Sequence, residues 1–157
     1  MRLLLLAAAV LLPASAAAQK PDDIVKWTAK GPEGAVKPGG TGTVELSAKI
    51  EEGWVLYALT QPANGPIALE VAVAKGQPFA VDAKKIEAPL PASKKTDVGS
   101  ENYYESQVKL GVPLVAAREI KAGDHTLPLE VTYQVCSGSI CLRPHTETLA
   151  ISISVKK

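Results

Sequence analysis

From Thr43 the chain alternates, with Val44, Leu46, Ala48 and Ile50 apolar and Glu45, Ser47 and Lys49 polar. A period of two puts one row of side chains on a core and the other in water, so this stretch predicts a strand. The same rhythm returns at Ile67, Leu69, Val71 and Val73, then at Val108, Leu110, Val112 and Leu114. It is longest near the end, through Leu127, Leu129, Val131, Tyr133 and Val135 and again through Leu149, Ile151, Ile153 and Val155. Those last two runs predict the arms of a hairpin. Shorter strand-like runs are Ile24 to Thr28 and Trp54 to Tyr57, whose Trp54 and Tyr57 are read as core.

Between the runs lie turn signals. Residues 31 to 42 are rich in Gly and Pro, Gln61-Pro62-Ala63-Asn64-Gly65-Pro66 turns the chain, and Gly123-Asp124 turns it again. From Lys75 to Ser100 three prolines and the pairs Lys84-Lys85 and Lys94-Lys95 predict loops and short edge strands, where charge discourages sheet-to-sheet association. Pro113 cannot donate to a ladder and marks an edge or a strand end. No stretch carries a sustained apolar stripe of helical period. The pattern predicts an all-β chain, an immunoglobulin-like antiparallel β-sandwich of seven to nine strands.

The first residues break this rhythm. Met1-Arg2 precedes an unbroken apolar run from Leu3 to Leu12, and Pro13 to Ala18 supplies a small-residue cleavage site. This has the form of a secretory signal peptide over residues 1–18. An apolar run this short falls well below the roughly 20 residues that span a bilayer, so no stable membrane insertion is expected. Cleavage after Ala18 leaves residues 19–157 as a single domain, a monomer in expectation. Without Arg2 that domain carries 16 basic and 16 acidic side chains, a balance that argues against nucleic acid or anionic lipid as a main partner.

Export changes how the two cysteines, Cys136 and Cys141, are read. In an oxidising compartment they can pair and persist, or be cycled by a dedicated reductant. A strand-like run leads into Cys136 and another extended run opens at Cys141, so the two sulfurs are expected to face each other across a hairpin mouth. Closing so short a ring gains only about 2 kcal/mol on chain-entropy grounds, less than a long-range bridge would. Arg143 and His145 can favour a thiolate, and Ser137-Gly138-Ser139 is slim enough to admit a partner's sulfur. Each also reads as ordinary turn and surface chemistry, which leaves redox and structural roles open. The spacing is not Cys-x-x-Cys, and no haem-attachment histidine follows Cys141. Zinc held by Cys136, Cys141, His145 and His125 would match none of the usual ligand spacings, and no cofactor or metal is expected.

Several segments in order resemble the amino-terminal periplasmic domain of the thiol:disulfide interchange protein DsbD and stand-alone secreted domains related to it. Val131-Thr132-Tyr133-Gln134-Val135-Cys136, a short loop and Cys141-Leu142-Arg143-Pro144 are similar to that family's active-site hairpin. Glu52-Gly53-Trp54-Val55-Leu56-Tyr57 resembles its early Gly-aromatic strand, and Glu101-Asn102-Tyr103-Tyr104-Glu105 falls where its aromatic cap loop lies. The likeness runs from about Thr43 to Val155. It implies the sandwich fold, Cys141 as the sulfur that forms mixed disulfides and Cys136 as the resolving thiol. It also implies a cap in which Tyr103, with Tyr104 beside it, shields the pair until a partner docks, and Glu101 is the nearby acid. The chain departs from the family pattern with four residues between the cysteines rather than five, Tyr103 in place of Phe and Asn102 in place of a second acid.

The resemblance implies a periplasmic thiol-disulfide exchange protein, a component of a thiol:disulfide oxidoreductase system acting with partners. It would pass two electrons between a membrane thiol reductase or thioredoxin-like protein and periplasmic protein disulfides. These 157 residues contain no membrane electron conduit and no thioredoxin-like domain, so the electrons must come from a partner. The competing reading is a non-enzymatic immunoglobulin-like binding module whose disulfide is only a brace.

Overall fold

The computed structural model describes residues 19–138 and 140–157; the leader expected over residues 1–18 lies outside them. A single helical turn, α1 (Pro21–Ile24), leads into β1 (Val25–Lys30), and β2 (Thr41–Ile50) follows the Gly- and Pro-rich loop. Next come β3 (Val55–Tyr57), β4 (Glu70–Val73), β5 (Phe79–Val81), a 3₁₀ turn at Ala83–Lys85, β6 (Ala92–Thr96) and β7 (Gly99–Tyr104). The chain ends with β8 (Gln107–Ala116), β9 (Gly123–Tyr133), β10 (Val135–Ser137), β11 (Ile140–Cys141) and β12 (His145–Val155). All strand pairs among the described strands are antiparallel, in the orders β1-β2-β8-β5, β12-β9-β4 and β11-β10-β3-β7-β6.

The alternating runs become the frame of this fold. In β2 and β8 the rungs Val44↔Val112, Leu46↔Leu110 and Ala48↔Val108 place buried side chains opposite one another. In β9 and β12 the expected hairpin runs unbroken from Gly123↔Val155 to Tyr133↔His145. Leu127, Leu129, Val131, Tyr133, Ile151, Ile153 and Val155 join the β2 and β8 residues in one core. Sheet packed on sheet through alternate residues is the immunoglobulin-like sandwich that the pattern predicts.

Two expectations change. Twelve strands form among the described residues instead of seven to nine: β7 occupies residues expected as a cap loop, and β10 and β11 are two or three residues long and too short to show a period. Pro113 lies inside β8, a strand flanked by β2 and β5, and so marks neither an outer edge strand nor a strand end. It is tolerated because β5 stops at the rung Val81↔Leu114, just short of it. On that side the Pro113 carbonyl accepts the Asp82 amide at 3.0 Å, and no ladder partner is left facing the missing N–H. The lysine-rich region behaves as expected: β6, with Lys94 and Lys95, is an exposed outer edge, and Lys85 pairs with Asp82 at 2.9 Å.

Candidate functional site

The cysteines sit where the long hairpin gives out. Beyond Tyr133↔His145 the chain leaves the β9–β12 ladder, and β10 and β11 belong to the five-stranded sheet instead. There β10 pairs with β3 through Val135↔Leu56 and Cys136↔Val55. The chain turns at Gly138, whose φ of 58° is a left-handed conformation that costs glycine little, and β11 pairs back on β10. Cys136 and Cys141 are opposite rungs with Cα atoms 4.0 Å apart, and a disulfide joins them. The two sulfurs therefore meet across the hairpin mouth as the sequence predicts.

Alternation makes the two cysteines unequal. Val135 is fully buried in the core, so its neighbour Cys136 faces the other side of the sheet, where it is still only 3% exposed. Cys141 lies on the outermost strand and is exposed, beside Ile140 at 63% exposure. One cysteine is sheltered and its partner is open to a thiol arriving from solution.

The expected cap is arranged differently. Glu101, Tyr103 and Tyr104 form part of β7, not a loop, because β3 on one side and β6 on the other hold them in a ladder. Rungs Tyr57↔Tyr103 and Leu56↔Tyr104 show that Tyr103 shares the cysteine face while Tyr104 points into the core. The Tyr104 hydroxyl donates to the Pro89 carbonyl at 3.2 Å, and burial raises its pKa. Tyr104 is thus a core residue. Tyr103 stands two strands from Cys136, with β3 between, and Cys141 is exposed with that ring in place. Glu101 lies on the Tyr103 face of β7, and burial first and the Glu101 carboxylate second raise the pKa of Tyr57.

Tyr57 is the aromatic that the sequence reading missed. It is buried on the cysteine face and stands outside the main core cluster, between the disulfide row and Tyr103. Only its position beside Val55, the rung partner of Cys136, could have separated it from ordinary core. The two cations near Cys141 also sort apart. Arg143 is exposed, while His145 meets Tyr133 edge-on with ring centres 5.7 Å apart. His125 lies far along β9 opposite Ile153, so the four conceivable zinc ligands do not assemble. Among the described residues no group of three or more His, Cys, Asp or Glu could hold a metal ion.

Fold and site together define an antiparallel immunoglobulin-like domain that carries a half-exposed disulfide on an edge hairpin. The chain belongs to the family of the thiol:disulfide interchange protein DsbD, N-terminal domain, whose model matches residues 19–153. The reduced DsbD N-terminal domain of Neisseria meningitidis superposes with a TM-score of 0.55 at 17% identity, covering 87% of this chain and 90% of that one. The N-terminal periplasmic domain of ScsB from Proteus mirabilis gives a TM-score of 0.55 at 16% identity, covering 88% of this chain and 49% of that one. At such identities these structures show the shared fold. No curated protein matches the chain. No described helix is long and apolar enough to cross a membrane.

Proposed function

We propose that the protein is an exported, periplasmic thiol-disulfide exchange domain that passes two electrons through Cys136 and Cys141. The observation that carries this reading is the unequal exposure of a bonded pair, with Cys141 open on an edge strand and Cys136 covered. Exchange requires in-line approach of one sulfur to another, so an incoming group meets Cys141 first.

In the reduced domain the Cys141 thiolate attacks a partner disulfide, forming a mixed disulfide and releasing one partner thiolate. The Cys136 thiolate then attacks the Cys141 sulfur, the intramolecular disulfide closes, and the second partner sulfur leaves as a thiolate. Two electrons pass to the partner, and its two thiolates take up the protons that the domain's thiols gave to solvent. The reverse sequence, driven by a thioredoxin-like protein or a membrane thiol reductase, regenerates the dithiol. Tyr57, Tyr103 and Glu101 flank this chemistry on the same sheet face.

The test is capture in the cell envelope. Cys136→Ser leaves Cys141 able to attack and nothing to resolve the product, so mixed disulfides with partner proteins accumulate on non-reducing gels. Cys141→Ser accumulates few. Equal capture by both variants overturns the assignment of roles, and no capture by either favours a purely structural brace.

A further inference from the structure

We infer that Gln134 is a positioning residue that keeps Cys141 in register with Cys136 while no covalent bond joins them. This rests on the reading of the pair as one that opens and closes.

Gln134 stands between Tyr133 and Val135, both fully buried, at the point where the chain changes sheets. Its main-chain carbonyl accepts the Tyr57 amide at 3.2 Å. Its side chain uses both ends: Nε2 donates to the Leu142 carbonyl at 3.1 Å, and Oε1 accepts the Ile67 amide at 2.9 Å. One partner is an acceptor and the other a donor, so the amide has a single orientation that satisfies both. Reversal would set oxygen against oxygen at Leu142 and N–H against N–H at Ile67.

Leu142 directly follows Cys141. Its amide is held by the Val135 carbonyl at 3.0 Å and its carbonyl by Gln134, so both polar groups of this residue are fixed to the β10 side. Little else restrains Cys141. β11 has two rungs on β10 and lies at the edge of its sheet. When the disulfide opens, the two bonds to Leu142 set how often the Cys141 sulfur returns to Cys136. Looser holding lowers the effective concentration of one thiol at the other. The disulfide then becomes easier to reduce and a mixed disulfide on Cys141 waits longer for resolution.

Gln134→Glu separates the two contacts. A carboxylate keeps an acceptor for Ile67 but has no donor for Leu142, while Gln134→Leu removes both. The measurement is the ring-closure equilibrium of each folded variant against dithiothreitol, which needs no partner protein. Both variants are expected to shift it toward the dithiol by roughly tenfold, about the worth of one net hydrogen bond. Acidification that protonates the introduced carboxyl restores a donor toward Leu142, so Gln134→Glu recovers toward the parent value at low pH and Gln134→Leu does not. A residue with only a structural role would lower the melting temperatures of both redox states alike and leave ring closure unmoved. Ring closure within about twofold of the parent in both variants overturns the inference. Failure of Cys136→Ser to capture partners would instead overturn the exchange reading, a result that the dithiothreitol equilibrium does not affect.

Discussion

The β9–β12 hairpin and the β10–β11 hairpin that carries the cysteines lie on one continuous stretch of chain, yet they are made differently. The hairpin pairs eleven residues on each arm without interruption and buries alternate side chains in the core. The cysteine hairpin has only three residues in β10 and two in β11, and it joins the rest of its sheet through the three-residue β3. Long ladders have many bonds that must break together, whereas a two-rung edge strand can open locally at small cost. The difference predicts rigidity beneath the site and freedom at it, so that in the exchange proposed above Cys141 would move toward a partner without disturbing the frame.

The strongest way to break this division is to weaken the frame. Leu129 is fully buried and pairs with Leu149 on one side and Val73 on the other. Leu129→Ala removes three carbons from a packed site and should cost about 3 kcal/mol in urea denaturation. Among molecules that remain folded, the dithiothreitol equilibrium of the cysteine pair should match the parent. A shifted equilibrium would mean that frame and site are one cooperative unit.

Opening the disulfide probes the same boundary from the other side. The ring is short, and its loss should lower stability by about 2 kcal/mol. Denaturation of the oxidised and reduced forms, followed by hydrogen exchange, should show protection falling in β10 and β11 while β9 and β12 keep theirs. Reduction that exposed the whole β9–β12 ladder would favour the brace over the exchange site.

The same contrast explains what the sequence made legible. Alternation over seven or more residues announces β2, β8, β9 and β12, because a half-buried strand of that length imposes its period on the side chains. β10 and β11 carry no readable period, and only the cysteines and their neighbours point to them, whereas β3 shows as the short run from Trp54 to Tyr57 after Gly53. The resemblance places residues 101 to 105 in a loop, but rungs to β3 and β6 make most of them strand, and alternation then parts Tyr103 from Tyr104. The roles of Gln134 and Tyr57 depend on partners 67 and 46 positions away, Ile67 for one and Tyr103 for the other, and no local pattern reports such pairings.

The smallest effect is expected at the seam between the two regions, where Tyr133 and His145 form the last rung of the frame. Glu147 lies two residues beyond His145, with its Oε2 buried and without a hydrogen-bond partner. Burial raises its pKa most, the His145 and Lys26 charges oppose that shift, and the Asp22 carboxylate adds to it. The folded state therefore holds the Glu147 proton to higher pH than the unfolded state does. Its contribution to stability is fully present below the ordinary glutamate value and is lost as pH rises through the raised one. Glu147→Gln removes this loss. The variant should be more stable than the parent at neutral pH by less than about 1 kcal/mol, because the carboxylate is only partly buried and water screens it. The difference should shrink as pH falls into the ordinary carboxylate range. Glu147 shares its side of the sheet with His145 and the core-facing Tyr133, whereas Cys136 projects to the opposite side from core-facing Val135. The cysteine equilibrium of Glu147→Gln should then follow the parent at every pH, and a pH-dependent departure would show that the seam transmits charge from the frame to the site.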